Sequence, residues 1–271
     1  MLLALPIYGQ NRETDYLSHV LEKMNAVESV TYHCVKKAWE PGDKEPVDNV
    51  PREIYEHVNP QDTAVGYSFL CASDKEFRQP LWVYDGTVFA YIEKEEKEVR
   101  IDDFTQKSPL PFRVIMPQAF GCMKSILEYA LNTQDSIVLS LKDEGKDYLM
   151  ELSIHTPYQV EFFGKACYMP QNPYIYDPTS IYKIWISKEN DMPYRYRREM
   201  QHSISEDICS DFVYNPSGKG KIVAEDYYPA DYVRRIKGEK SQKATVDMTG
   251  KKAPDWTLTD MKGQKVSLSG I

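Results

Sequence analysis

Cysteine is the residue of this chain best suited to covalent chemistry, but the spacing of the cysteines does not indicate an active site. The five cysteines lie far apart, and none forms the C-x-x-C pair of thiol oxidoreductases and zinc ribbons. Their odd number excludes a complete disulfide framework, so buried small apolar side chains are the simplest interpretation. One bridge is compatible with an oxidising compartment. The cysteines are Cys34, Cys71, Cys122, Cys167 and Cys209.

The five histidines also lack a metal-binding pattern. Neither H-x-H nor H-E-x-x-H occurs, so a metal site would need ligands from distant parts of the chain. A cysteine–histidine nucleophile pair has the same requirement, because its members are neighbours in space and not in sequence. The sequence therefore indicates no catalytic residue, no metal and no cofactor. The histidines are His19, His33, His57, His155 and His202.

Two basic segments suggest anion binding. Residues 216–221 (P-S-G-K-G-K) lack the frame of a phosphate-binding loop, and a hairpin turn is the simpler interpretation. Arg195 and Arg197 alternate with Tyr194 and Tyr196, which is typical of a solvated strand face; docking of an anionic headgroup is the alternative. The net charge of −8, from 33 basic and 41 acidic side chains, argues against a nucleic-acid partner.

Seven aromatic residues form the candidate ligand site. They fall in segments that predict strands, where alternate side chains gather on one face. Tyrosine and tryptophan combine a large apolar area with a polar tip, which suits an apolar cavity. Core packing is the alternative, because sheet faces bury such rings in any case. The residues are Trp82, Tyr84, Phe89, Tyr91, Trp185, Tyr194 and Tyr196.

The elements around these rings predict an α+β fold. Apolar residues at helical spacing predict helices over residues 14–27 and 118–131. Alternating residues predict strands elsewhere, with a hairpin at Asp85-Gly86, while the proline-rich residues 40–60 predict an excursion from the sheet. We expect a strongly curved antiparallel β-sheet, a half-barrel, with two or more helices on its concave side. Such a sheet leaves a hollow that a helix or a ligand must fill.

Composition predicts four segments along the chain. Residues 1–12 change from apolar to polar, as in the remnant of a signal peptide. Residues 13–236 form the main domain, residues 237–249 are polar and basic like a linker, and residues 250–271 begin another domain. No stretch reaches the ~20 apolar residues that a membrane span needs. The predicted location is therefore the periplasm, with the protein exported and soluble.

The final segment resembles the start of a redoxin domain. It contains A-P-D-W-T-L, followed by D-M-K-G and V-S-L-S. In redoxins, members of the thioredoxin-like family, such a segment enters a hairpin, and the catalytic cysteine follows the next strand. The resemblance implies a thiol–disulfide oxidoreductase or thiol peroxidase with a thiol or disulfide partner protein. Its reactive thiol would lie after residue 271, so these residues hold only a truncated redoxin domain.

The preceding residues resemble the outer-membrane lipoprotein carrier and sorting family. The resemblance rests on the order of a helix, S-V-T-Y, Y-S-F, W-V-Y-D-G-T-V-F-A-Y and I-W-I-S-K-E-N-D-M-P-Y-R-Y over residues 14–230. It implies a cavity for acyl chains, with a mobile helix as its lid. Combined with a redoxin domain, it resembles exported two-domain proteins.

Three functions follow from these resemblances. The favoured one is the exported binding or interaction module of a redoxin whose catalytic part lies outside these residues. The second is a carrier of lipid or lipoprotein acyl chains in the half-barrel cavity. The third is a docking or dimerisation platform.

Overall fold

The computed structural model describes residues 8–105, 113–239, 255–259 and 261–267. The chain divides into two units, with the first ending at Lys237 and the second beginning at Gly238. This boundary falls at the predicted start of the linker. Residues 240–249 of that linker, and residues 1–7 of the predicted signal remnant, lie outside the described residues.

The first unit contains two α-helices and fourteen strands among its described residues. Helix α1 (Tyr8–Asn25) begins well before the predicted residue 14, and helix α2 (Ala119–Asn132) lies where the apolar spacing predicts it. The strands are β1 (Ser29–Trp39), β2 (Asp48–Val58), β3 (Tyr67–Ala72), β4 (Pro80–Tyr84), β5 (Val88–Glu93), β6 (Glu98–Asp103), β7 (Ile137–Asp143), β8 (Asp147–Ile154), β9 (Val160–Phe162), β10 (Ala166–Tyr168), β11 (Ser180–Ser187), β12 (Met192–Met200), β13 (Ser203–Tyr214) and β14 (Val233–Ile236).

Twelve of these strands form one large curved sheet. Their order is β14-β6-β5-β4-β3-β2-β1-β13-β12-β11-β8-β7, while β9 and β10 pair separately. Neighbouring strands are antiparallel, except that β14 lies parallel to β6. The predicted curved sheet with two helices is confirmed, and the parallel edge strand makes the sheet mixed.

Both helices pack on one face of this sheet, called here the helix-side face, and both contact β12. Strand alternation produces this face. In β11, the fully buried Ile184 and Ile186 join the core with the helices, while Trp185 between them points to the opposite, outer face. Burial of each such aliphatic side chain stabilises the fold by about 1.5–3 kcal/mol.

The outer face is closed at the other end of the sheet by a segment that follows β13. Ile222 and Ala224 are fully buried against the outward side chains of β2 to β6, including Leu70 and Val83. The predicted strand at residues 222–225 is therefore wrong. The chain forms a short 3-10 helix, Ala224–Tyr227, because these residues cover the sheet and do not extend it.

Residues 40–60 do not leave the sheet as predicted, because much of this segment forms β2. Pro51 pairs with Val35 of β1, but the pairing of β2 with β3 starts only at Glu53. The absent N–H of the proline therefore faces no neighbouring strand, which is where a sheet tolerates proline. Strand β13 likewise runs through Asp211, a position predicted to separate two strands, and it includes an irregularity in its pairing with β1.

The second unit contains one hairpin among its described residues. Strands β15 (Thr257–Thr259) and β16 (Lys265–Ser267) pair antiparallel, with Leu258 opposite Val266. The connecting turn uses a positive φ at Gly263, which glycine adopts without strain. The predicted hairpin is confirmed, but a hairpin alone does not define a thioredoxin-like domain.

Candidate functional site

The candidate site is a cavity of about 200 Å³ on the helix-side face of the sheet. One wall is formed by strands β1 to β5 with β12 and β13, and the other by residues 114–119, which lead into α2. Its rings are Phe69, Trp82, Phe89, Tyr91 and Tyr196.

A second cavity, of about 350 Å³, continues from the first toward the sheet edge at β6 and β14. The two cavities share Phe89 and Tyr91, whose rings meet edge to face with centroids 4.7 Å apart. Tyr91 is 48% exposed, so solvent reaches this wall. We call the two cavities together the aromatic trough. Their joint volume falls within the ~300–1,000 Å³ of small-molecule sites, while the first cavity alone is smaller.

Four of the seven predicted site residues line the aromatic trough: Trp82, Phe89, Tyr91 and Tyr196. Tyr84 is fully buried behind the trough, with its ring centroid 5.3 Å from that of Phe69. The structure thus brings five of the seven rings to one region.

Trp185 and Tyr194 line neither cavity of the trough. Trp185 lies on the outer face, with the Arg195 guanidinium 4.0 Å from its ring centroid. The Tyr194 hydroxyl donates a hydrogen bond to the Asp147 carboxylate at 2.7 Å. Because β11 and β12 carry large side chains on both faces, the aromatic content of these strands could not indicate which rings point toward a cavity.

The polar end of the first cavity carries two cations and one carboxylate. Arg52 places its guanidinium carbon 4.4 Å from the centroid of the Trp82 ring, and its buried Nε has no hydrogen-bond partner. Arg52 forms no ion pair with any residue that the structure describes. Lys36 lies opposite Asp207 in the β1–β13 register, and Asp207 accepts a hydrogen bond from Tyr196. The surroundings of Arg52 therefore suit an anion.

A buried carboxylate fixes the helix that borders the cavity. Glu56 of β2 is fully buried and accepts hydrogen bonds from the Tyr32 hydroxyl at 2.5 Å and from the backbone N–H groups of Phe120 at 3.0 Å and Gly121 at 3.1 Å. Burial raises the pKa of Glu56 to about 7, although the three hydrogen bonds oppose this shift. The carboxylate satisfies N–H groups that the start of α2 would leave unpaired.

Gly121 makes this contact between β2 and α2 feasible. A Cβ at this position would lie 2.8 Å from Glu56 Oε2 and 3.0 Å from the Tyr67 ring. The absence of a side chain thus allows the start of α2 to approach Glu56. The sequence analysis missed Glu56 because residues 40–60 were interpreted as an excursion from the sheet.

A second polar cluster fixes the beginning of the segment that walls the cavity. The Tyr84 hydroxyl donates to Asp62 at 2.6 Å, while Arg113 Nη1 lies 2.7 Å from the Tyr84 oxygen and 3.3 Å from Asp62 Oδ1. Arg113 also donates to the carbonyl of Gly86 at 2.6 Å. Burial, followed by the hydrogen bond to Asp62, raises the pKa of Tyr84. Residues 114–119 are therefore anchored at both ends.

The remaining sequence candidates are not assembled into a catalytic site within the described residues. All five cysteines are buried and free, and no group of three metal-binding side chains occurs in the described ranges. Residues 216–221 form an irregular turn, with the Lys219 amine 4.1 Å from the Phe77 ring centroid. Arg195 and Arg197 both pair with Glu206 on the outer face. No described helix has the length and apolar character of a membrane span.

The fold and cavity define a curved-sheet protein with an open aromatic trough, and comparisons with known proteins place it no more narrowly. No family model and no curated protein matches the chain. Three solved structures are similar in outline. The lipoprotein LppX of Mycobacterium tuberculosis has a TM-score of 0.38 at 8% identity, covering 78% of this chain and 99% of that chain.

An uncharacterized conserved protein from Thermus thermophilus has a TM-score of 0.35 at 8% identity, covering 83% of this chain and 99% of that chain. A LolA superfamily protein from Nitrosomonas europaea has a TM-score of 0.30 at 11% identity, covering 80% and 99%. These TM-scores are too low to carry a functional argument. None of the comparisons supports a redoxin domain, so that resemblance rests on its own residues alone.

Proposed function

We propose that the first unit binds the acyl chain of an anionic lipid, with the chain in the aromatic trough and the acidic group at Arg52. The observation that carries this proposal is the guanidinium of Arg52, which lies over the Trp82 ring in the cavity wall without an acidic partner among the described residues. This proposal develops the acyl-carrier alternative of the sequence analysis.

The aromatic rings supply the apolar part of the interaction. Phe89 and Tyr91 face both cavities, and Trp82 and Phe69 extend the same surface toward α2. Each methylene group of an acyl chain that leaves water contributes about 0.8 kcal/mol. The exposed edge of Tyr91 provides a route by which a chain enters from solvent.

Arg52 and Lys36 supply the polar part. A guanidinium forms two parallel hydrogen bonds with a carboxylate or a phosphate, which a neutral headgroup cannot reproduce. An anion at this point would also provide a partner for the buried Nε of Arg52. The chain as a whole is acidic, with a net charge of −8, so this local cationic pair selects where an anionic headgroup binds.

The other predicted functions are not part of this proposal. A redoxin function and a thiol or disulfide partner protein lack support from the comparisons and from the hairpin of residues 257–267. A docking or dimerisation role and export to the periplasm stay predictions. An acyl carrier would serve in an aqueous compartment between membranes, which agrees with the predicted location.

The test is displacement of a fluorescent fatty acid from the full chain by dodecanoate. We expect Trp82→Leu and Arg52→Met to weaken dodecanoate binding by about tenfold or more, because a hydrogen bond to a charged group contributes about 1.5–3 kcal/mol. Trp185→Leu and Arg195→Met are matched controls, since this pair has the same stacked arrangement on the outer face. Both controls should bind like the unmodified protein.

Dodecanol separates the two parts of the proposal. Because its headgroup is neutral, Arg52→Met should leave dodecanol binding unchanged, while Trp82→Leu should weaken it. Failure of both compounds to displace the probe would overturn the proposal. Equal losses in the trough variants and the outer-face controls would also contradict it.

A further inference from the structure

Two of the five cysteines face each other across the centre of the sheet. Strands β1 and β13 pair antiparallel, and Cys34 is the register partner of Cys209. Residues directly opposite in an antiparallel pair have Cα atoms about 4.5 or 5.5 Å apart. Both values lie within the range of about 4.4–6.8 Å that a disulfide spans. No backbone movement is needed to bring these two residues within bonding range.

The side chains of Cys34 and Cys209 also point the same way and touch. Both are buried on the helix-side face, at 6% and 4% exposure, and the Cys34 side chain hydrogen-bonds the Cys209 thiol. Cys71 is the only other cysteine on a nearby strand, but β2 separates β3 from β1. Two strand spacings amount to roughly 9.6 Å, which exceeds the reach of a disulfide.

We infer that Cys34 and Cys209 form a reversible cross-strand disulfide, a redox site within the first unit that does not depend on any terminal redoxin domain. Cys34 also lines the first cavity, so a small disulfide oxidant can reach its sulfur through the trough. Formation of the bond would covalently join β1 and β13. It would also fix the strand position beside Arg52, the register partner of Cys34 on its other side.

The oxidation proceeds by exchange with a low-molecular-weight disulfide. The Cys34 thiolate attacks one sulfur of the oxidant, its S–S bond breaks, and one thiolate leaves and takes up a proton. Cys209 then loses its proton to water and attacks the Cys34 sulfur of the mixed disulfide, releasing the second thiol. The two cysteines together lose two electrons and two protons, and the oxidant becomes two thiols.

The second step is the slow one. Burial, the Cys34 thiol and the nearby carboxylates Asp207 and Glu56 raise the pKa of Cys209 well above its usual range. Since only the thiolate attacks, closure should take the minutes to hours typical of uncatalysed disulfide rearrangement.

The experiment is incubation of the native full chain with excess oxidised glutathione, followed by acid quench, denaturation, alkylation and tryptic mass mapping. We expect three of the five cysteines to be alkylated and a cross-link to join the peptide of residues 24–36 to that of residues 199–219. Reduction by dithiothreitol should restore five alkylated cysteines. Cys71→Ala should leave the cross-link unchanged, while Cys34→Ala and Cys209→Ala should each abolish it.

Mapping of the unmodified chain decides the inference even where a cysteine variant fails to fold. A cross-link between any other two cysteines would overturn the inference. Recovery of five alkylated cysteines after prolonged oxidation, or of a glutathione adduct on Cys34 without closure to Cys209, would contradict it as well.

Discussion

Replacement of Glu56 by glutamine should change how the stability of the first unit depends on pH. Glutamine has nearly the shape of a protonated glutamate but cannot ionise. Its side-chain oxygen can accept from the N–H groups of Phe120 and Gly121, as the carboxylate does. The substitution therefore removes the titration of the buried group and keeps most of its packing.

The magnitude follows from the raised pKa of Glu56. Burial raises this pKa from 4.5 in the unfolded chain to about 7 in the folded one. Between these values the folded chain keeps a proton that the unfolded chain has lost, so stability from this group is complete below the unfolded pKa and is lost as the pH rises through 7. One pKa unit corresponds to about 1.4 kcal/mol, so about 2–3 kcal/mol is lost between about pH 5 and about pH 8.

The assay is urea unfolding of the unmodified chain and the Glu56→Gln variant at both pH values. Subtraction of the two free energies of unfolding cancels the titration of all other groups. We expect the variant to gain about 2–3 kcal/mol relative to the unmodified chain from about pH 5 to about pH 8. Exposed Glu95, replaced in the same way, is the control and should show no such change. A pH-independent difference for Glu56→Gln would refute the reasoning.

Two further substitutions test the packing of the first unit by thermal or urea unfolding. Gly164→Ala should cost more than about 3 kcal/mol, because its Cβ would lie 2.1 Å from a backbone carbonyl oxygen; Gly145→Ala, with similar positive φ but open space, should cost only about 1–2 kcal/mol. Equal costs would contradict the close approach. Arg198→Met should cost about 3–5 kcal/mol, because it leaves the buried Glu161 carboxylate without the partner that lies 2.6 Å away, whereas the exposed Arg78→Met should cost less than about 1 kcal/mol. A loss below about 1 kcal/mol for Arg198→Met would show that Glu161 finds another partner.

The sequence predicted those elements whose own pattern determines them. Helix α2 has apolar residues at helical spacing, and the Asp85-Gly86 turn adopts the positive φ that its glycine allows. Strand β2 was missed because Pro51 argues against a strand, and only the staggered pairing with β1 and β3 leaves its nitrogen without a neighbour. Such staggering is a tertiary property that a local pattern does not contain.

The candidate site was predictable only in part for the same reason. Trp82 and Phe89 lie in a hairpin whose register follows from its turn, so a shared face could be expected. Trp185 alternates with apolar residues that occupy the core, and nothing in its own strand indicates which face carries a cavity. Arg52 and Glu56 belong to the misinterpreted strand β2. The opposition of Cys34 and Cys209 depends on pairing between strands at opposite ends of the first unit.

The most direct test of acyl-chain binding in the trough is photolabelling of the full chain with a diazirine analogue of dodecanoate, followed by tryptic mapping. The account predicts label on the peptide of residues 79–94, which contains Trp82, Phe89 and Tyr91, and competition by unlabelled dodecanoate. A separate cavity of about 480 Å³ is lined by residues of 157–178. Label concentrated on the peptide of residues 166–183, or labelling that dodecanoate does not reduce, would contradict the assignment of the aromatic trough as the acyl-binding site.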